Sequence, residues 1–189
     1  MGFNLPDLNT EDRLVARMHQ GDPNAVTEIY DIYFPPLYQY IRLQVGEAQA
    51  AEDIASEVFF RLMATIGKNS GPQKSLRGWL FQVARNLVYR HFKAQRHYPK
   101  SALEEWFSAD VDVEMQVLRS VEVEKAQRAL TMLAPDQREV LILRFVEALD
   151  LEETASIMGR SVSAIKSLQF RAVRTLRTIL GELSTGVAS

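Results

Sequence analysis

Two stretches of this sequence collect cations in a way that suits an anionic partner. Residues 74–98 read KSLRGWLFQVARNLVYRHFKAQRHY, in which Lys74, Arg77, Arg85, Arg90, Lys93 and Arg96 alternate with Trp79, Phe81, Tyr89, Phe92 and Tyr98. Rings interleaved with cations fit single-stranded nucleic acid, since each base stacked on an aromatic contributes roughly 1–3 kcal/mol while the cations follow the phosphates. Extruding a base from a duplex costs a few kcal/mol, which one or two such contacts offset. Near the C-terminus, Ser163, Lys166, Ser167, Phe170, Arg171, Arg174 and Arg177 recur with no acid among them before Glu182. At 100° per residue they fall on the half of a helix opposite Ile165, Leu168, Ala172, Leu176, Ile179 and Leu180. Short polar and long basic side chains on one exposed face are what a helix in the DNA major groove requires. On that face Phe170 either meets a thymine methyl group or packs on a neighbouring protein surface; the bland alternative is a solvated basic face with one stray ring.

Other chemistries find little support. The histidines are His19, His91 and His97, and the last two, six apart on a helix, point in different directions with no acid nearby. No metal site is expected. The sequence has no Cys, which removes disulfide frameworks, thiolate zinc sites and cysteine nucleophiles. Glu104-Glu105 and Glu152-Glu153 read as solvated pairs, and no phosphate-binding glycine loop or nucleophile elbow occurs. The expectation is a non-enzyme without cofactor. No apolar run approaches the roughly 20 residues of a membrane helix, and Met1–Glu11 lacks the basic and apolar regions of a signal peptide. A cytoplasmic location is expected.

The net charge of −2 conceals a block pattern. Residues 1–67 carry −6, residues 68–100 carry +8 with no acid, residues 101–124 carry −6, residues 125–159 carry −2 and residues 160–189 carry +4. A protein that coats DNA generically would be basic throughout; here two basic blocks alternate with acidic ones.

The elements that must position these residues read as helices. Asp22-Pro23 is an N-cap followed by Pro at the first helical position, opening a helix to about Phe34. Pro35-Pro36 predicts a break, with a second segment through Val45. Ile54, Val58, Phe59, Leu62, Met63 and Ile66 give helical spacing over Ala50–Ile66. After a Gly/Asn/Ser/Pro loop a long helix spans about Ser75–Arg96, stopped by Pro99. On it Leu76, Leu80, Val83 and Leu87 form one apolar stripe, with Phe81, Val88 and Phe92 almost opposite. Trp79, Phe81 and Phe92 are therefore either nucleic-acid contacts or core on a helix buried from two sides. An acidic stretch from Tyr98 to about Val113 reads as a linker, after which helical pattern runs to Leu133. Further helices are expected from Pro135 to about Glu147, over Leu151–Met158 and over Ser161–Leu183.

Leu151 to Leu168 has the spacing of a helix-turn-helix. Ala155 is small where two helices cross, Gly159 suits the left-handed turn position, Ser161 can cap the next helix, and Ile165 and Leu168 anchor it. The fold class expected is all-α: two small helical domains joined by an acidic linker, the second carrying the helix-turn-helix.

In chain order, Gly21-Asp22-Pro23 with the aromatic-rich helix after it (Ile29, Tyr30, Tyr33, Phe34, Tyr38, Tyr40), AEDIASEVFFRL (Ala51–Leu62), LRGWLFQVARNL (Leu76–Leu87), LAPDQREVLILRF (Leu133–Phe145) and LEETASIMGRSVSAIKSLQFRAVRTLR (Leu151–Arg177) resemble the sigma-70 superfamily of RNA polymerase sigma factors, specifically the extracytoplasmic-function (ECF, group IV) class. The resemblance covers about residues 10–182. It implies a region 2-like domain over 1–97, an acidic linker over 98–124 and a region 4-like domain over 125–189. It implies that Asp53, Ser56, Glu57 and Phe60 lie against the clamp helices of core polymerase. Trp79, Arg85, Asn86, Tyr89 and Lys93 would capture an unpaired base of the promoter −10 element, with the loop Lys68–Ser75 setting which base is taken. Ser163, Lys166, Ser167, Phe170 and Arg171 would read the −35 element, with Arg174 and Arg177 on phosphates. The acidic linker would thread toward the polymerase RNA path, and an anti-sigma factor is an implied partner. Ser56 stands where the family usually has Gln, and Leu168 and Gln169 where it often has a basic residue. No middle domain and no additional C-terminal regulatory domain are expected. The competing reading is a helix-turn-helix regulator that binds an operator alone, which leaves the aromatic-rich basic block unexplained. A helical adaptor that binds protein only fits the outward face of the last helix poorly.

Overall fold

The computed structural model describes residues 6, 8–66, 68, 71–72, 75–95 and 117–185, and every regular element among them is helical. Four helices build the first half. Helix α1 (Leu8–His19) was not expected from the sequence. Its apolar signal is short, resting mainly on Leu14 and Met18 one turn apart, which the fold buries. Its Glu11 is buried and accepts hydrogen bonds from the Tyr33 hydroxyl at 2.7 Å, the Ser75 hydroxyl at 3.1 Å and the Leu76 amide at 3.1 Å. One carboxylate thereby ties α1 to α2 and caps the start of α4.

Helix α2 runs unbroken over Pro23–Val45, through both Pro35 and Pro36, so the expected break is not there. Each interior proline costs about 3 kcal/mol through a lost backbone bond and a crowded carbonyl. Its ring also fixes φ near the helical value, and one continuous buried face (Ile29, Tyr33, Pro36, Leu37, Tyr40, Ile41) spans the proline pair. Packing on both sides of the prolines outweighs the local penalty. Asp22 caps the helix by accepting from the Asn24 amide at 2.9 Å, and Gly46 ends it in the left-handed conformation at φ 83°.

Helix α3 (Ala48–Met63) buries Ala51, Ile54, Ala55, Val58, Phe59 and Leu62. It packs on α2 and on α4 (Leu76–Gln95). The helix ends before Ile66 because the Thr65 hydroxyl donates to the Leu62 carbonyl at 2.6 Å and the chain turns. Helix α4 is buried from two sides. Leu76, Leu80 and Leu87 are core on one, and Phe81 and Val88 on the other, where the Phe81 ring meets Tyr40 edge-on at 5.3 Å. Of the two roles open for Phe81, the core holds it.

The second half contains α5 (Val117–Thr131), α6 (Pro135–Leu141), α7 (Leu151–Met158) and α8 (Val162–Thr185), with α5, α6 and α7 packed around α8. The helix expected to continue from Pro135 to Glu147 changes at Ile142 into a π-helical turn, Ile142–Val146. Ala148 follows at φ 53°, a left-handed residue without glycine's freedom. The linker expected over 98–124 lies outside the described residues up to 116, and from 117 the chain is helical.

The halves touch. Helix α4 lies along α7, and α2 meets the π-helical turn. The contact is rich in charge: Arg85 Nε donates to Glu139 Oε1 at 2.8 Å, the Tyr40 hydroxyl donates to the same oxygen at 3.0 Å, Arg138 Nη1 donates to the Gln44 carbonyl at 3.1 Å, and Arg77 pairs with Glu153.

Candidate nucleic-acid interface

The helix-turn-helix is built by local rules. Asp150 forms a reciprocal capping box on α7: its Oδ1 accepts from the Glu152 and Glu153 amides at 2.8 Å each, and Glu153 accepts from the Asp150 amide at 2.9 Å. Gly159 ends the helix at φ 63°, and the Arg160 amide donates back to the Ala155 carbonyl at 3.0 Å. The Ser161 hydroxyl then caps α8 by accepting from the Ala164 amide at 3.2 Å. Ile165, Leu168, Ala172 and Ile179 are buried beneath, with Leu176 and Leu180 packed at the edge.

All seven candidates on α8 reach solvent together. Ser163, Lys166, Ser167, Phe170, Arg171, Arg174 and Arg177 are exposed, and Phe170 is 72% exposed, which excludes a core role for the ring. Arg144 of the π-helical turn joins Lys166, Phe170, Arg174, Arg177 and Thr178 around a shallow cationic groove. Its Nε donates to Gln169 Oε1 at 3.1 Å, which aims the side chain along α8. The sequence reading missed Arg144 because it belongs to another element; only the fold brings it to this face.

The candidates on α4 divide. Asn86, Tyr89 and Lys93 are exposed at spacings of three and four residues, hence on one face, and Arg90 lies beside them. Tyr89 is 70% exposed. Trp79 is only partly open and packs against the core, and Arg85 turns to the other half of the molecule, where Glu139 holds it. Phe92 sits at the border between the two environments. Lys74, Arg96 and Tyr98 lie outside the described residues, as do Asn69, Ser70 and Gln73 of the loop Lys68–Ser75.

On α3, Asp53, Ser56 and Phe60 are exposed and Glu57 is half-buried, again on one face. Asp53 accepts from Gln49 Nε2 at 3.0 Å, and Glu57 accepts from Arg61 Nε at 2.8 Å. Phe60, Met63 and Tyr30 are exposed, the last stacked on Phe34 at 4.8 Å. Acidic side chains flanking exposed apolar ones suit a protein surface and oppose phosphate.

Behind these faces sit titratable groups with displaced equilibria. Burial pushes the Glu139 carboxyl up, although Arg85 and the Tyr40 hydroxyl pull the other way. Tyr40 is raised well above the ordinary phenol value, by burial first and then by the charge of Glu139. Glu147 has neither carboxyl oxygen hydrogen-bonded among the described residues, and burial holds it up to about 8. Burial lowers Arg138. Among the described residues no cluster of His, Asp or Glu could hold a metal ion, and no helix is long and apolar enough to cross a membrane.

Comparison with known proteins shows the family. Residues 29–98, from within α2 through α4, match the family described as Sigma-70 region 2, and residues 124–176 match Sigma-70, region 4. The chain is 38% identical over 170 residues to the ECF RNA polymerase sigma factor BldN of Streptomyces coelicolor, an alignment covering 88% of this chain and 64% of that protein. It is 31% identical over 173 residues to the ECF RNA polymerase sigma factor SigD of Mycobacterium tuberculosis, covering 88% of this chain and 82% of that one. Its fold is similar to the sigma factor RpoE of Bartonella quintana, solved with the anti-sigma factor NepR, with a TM-score of 0.65 and 26% identity over 82% of this chain and 96% of the other. A stand-alone operator-binding regulator has no use for the region 2 match. The chain belongs to the sigma-70 family, within its extracytoplasmic-function RNA polymerase sigma factors.

Proposed function

We propose that the chain is a dissociable specificity subunit that joins bacterial core RNA polymerase in the cytoplasm and directs it to promoters, catalysis staying with the polymerase. In this reading residues 1–97 bind core enzyme and melt DNA, residues 98–124 connect, and residues 125–189 place the complex. Asp53, Ser56, Glu57 and Phe60 of α3 meet the polymerase. Asn86, Tyr89 and Lys93 of α4, with Trp79 and Arg85 at their edge, take the unpaired −10 strand. Ser163, Lys166, Ser167, Phe170 and Arg171 read the duplex −35 element while Arg174 and Arg177 hold phosphates. An anti-sigma factor is a further partner, by analogy with the RpoE–NepR complex.

What carries the reading is the exposed Asn86–Tyr89–Lys93 face on a second basic helix, distinct from the helix-turn-helix. A regulator needs one DNA-binding surface; a subunit that positions and also melts needs two. The test is co-elution of the purified chain with core polymerase, followed by transcription from a library of promoter sequences. Stoichiometric binding with new, sequence-selective initiation is expected. Tight binding to duplex DNA alone, with no binding to a cognate core, overturns it.

A further inference from the structure

Helix α4 starts by means unlike those of its neighbours. Helices α2 and α7 are each capped by an acid of their own, Asp22 and Asp150, both beside solvent. No acid stands in the first turn of α4, and none occurs anywhere in residues 68–100, where Lys74 and Arg77 flank the start. Cations beside a helix N-terminus oppose its dipole. The missing carboxylate comes from α1. Glu11 Oε2 accepts from the Leu76 amide and from the Ser75 hydroxyl at 3.1 Å each, and that hydroxyl, its proton so directed, accepts from the Gly78 amide at 3.0 Å. The Trp79 amide donates to the Ser75 carbonyl at 3.1 Å, which closes the first turn. Glu11 Oε1 is filled by Tyr33, whose hydroxyl is kept protonated by burial first and then by its bond to Glu11. One carboxylate, 2% exposed, therefore holds three donors.

We propose that Glu11 is a positioning residue for strand capture: acting from α1 through Ser75, it fixes the first turn of α4, and with it Trp79 and the exposed face of Gln82, Asn86, Tyr89 and Lys93, while keeping its own charge off the surface that meets phosphate. This rests on reading α4 as the strand-capturing helix. Glu11 itself precedes residues 29–98, the stretch that matches Sigma-70 region 2. Gln82, exposed and four residues before Asn86, carries the face to within one turn of Gly78. An acid in the first turn of α4 would cap the helix equally well, but it would stand beside Arg77 in the basic block and repel an incoming strand. A carboxylate supplied from the buried side meets the needs of the helix start and of the nucleic-acid face together.

The full chain bound to core polymerase is the material for the test, with two readouts: affinity for the polymerase, and affinity of the assembled complex for a fluorescent single-stranded −10 oligonucleotide. Glu11→Ala is expected to leave polymerase affinity unchanged, because that surface is assigned to α3, and to weaken oligonucleotide binding by about 5-fold, the scale of a lost helix cap. Glu11→Gln should restore most of the loss, since its amide oxygen accepts from Ser75 and Leu76 while its amide nitrogen donates to the Tyr33 oxygen. Ser75→Ala removes the acceptor of the Gly78 amide with a smaller change to the core. A loss in the same direction is expected from it, which keeps the proposal falsifiable if Glu11→Ala fails to fold. Wild-type oligonucleotide affinity in Glu11→Ala and Ser75→Ala overturns the proposal. So does a parallel loss of polymerase and oligonucleotide binding, which marks a general structural role, and so does a Glu11→Gln variant as weak as Glu11→Ala. If Tyr89→Ala also leaves oligonucleotide binding untouched, the reading of α4 fails; if Tyr89→Ala weakens binding and the Glu11 variants do not, the fault lies with Glu11 alone.

Discussion

At the scale of single residues, the α8 face is where type and position agree most directly. Lys166 and Arg171 stand on its exposed side with no acid beside them in sequence. Lys166→Ala and Arg171→Ala should each weaken promoter recognition by roughly 1–3 kcal/mol if their contacts are to bases. Transcription from promoters with intact and scrambled −35 elements checks this, and equal activity of wild type and both variants on the intact promoter would remove them from the readout. Glu147 poses a different question. Its folded carboxyl is held up to about 8 against an ordinary value of 4.5. Below about 4.5 the acid is neutral in both states and costs nothing. Between 4.5 and 8 the unfolded chain gives up its proton first, so stability falls as pH rises; above 8 the loss is complete. Glu147→Gln should therefore gain up to about 5 kcal/mol over wild type near pH 9 and little near pH 4, seen as melting curves that diverge with pH; parallel curves would mean that water reaches the carboxylate. Neither the burial of Glu147 nor the capture of Arg85 was legible in the sequence. A helical wheel knows only the neighbours on its own helix, so it does not show the pairing of Arg85 with Glu139, 54 residues away.

Elements were legible in proportion to how local their determinants are. Asp150, Glu153, Gly159 and Ser161 act within a few residues of themselves, and the turn they make matches the spacing that announced it. Gly159 sits at φ 63° with open space where a side chain would begin, so Gly159→Ala meets no clash and tests backbone conformation alone. It should cost about 1–2 kcal/mol and weaken duplex −35 binding without touching single-strand binding by α4; denaturation curves and the two binding assays separate these effects. The failures are equally physical. Pro35-Pro36 is a strong local stop signal, and α2 overrides it because its buried face continues past the pair. Helix α1 was silent because it announces itself through Glu11, a polar residue whose partners on α2 and α4 are 22 to 65 positions away. The π-helical turn at Ile142–Val146 likewise follows from how α6 must pivot toward α7, as Arg144 bonds to the Leu149 carbonyl across the corner.

For the whole molecule, helical patterning interrupted by an acidic stretch announced two helical halves, while the contact between them depends on pairs that no periodicity encodes. That contact limits how the protein can meet DNA. A compact chain of this length has a radius of gyration of about 16 Å, whereas elements named −35 and −10 lie about 25 base pairs, or roughly 85 Å, apart along a duplex. With α4 resting on α7, one half engaged at its element holds the other tens of ångströms from its own. The closed chain should therefore bind a duplex carrying both elements no more tightly than a duplex carrying the better one alone, and competition titrations with the three duplexes check this. Two linked sites multiply affinity only when both reach their targets at once, because the second then acts at a high effective concentration. On the proposed assignment of one DNA element to each half, the four polar contacts between α2–α4 and α6–α7 would govern valency: shut, the chain would be a monovalent ligand for DNA, and bivalence would begin when they part.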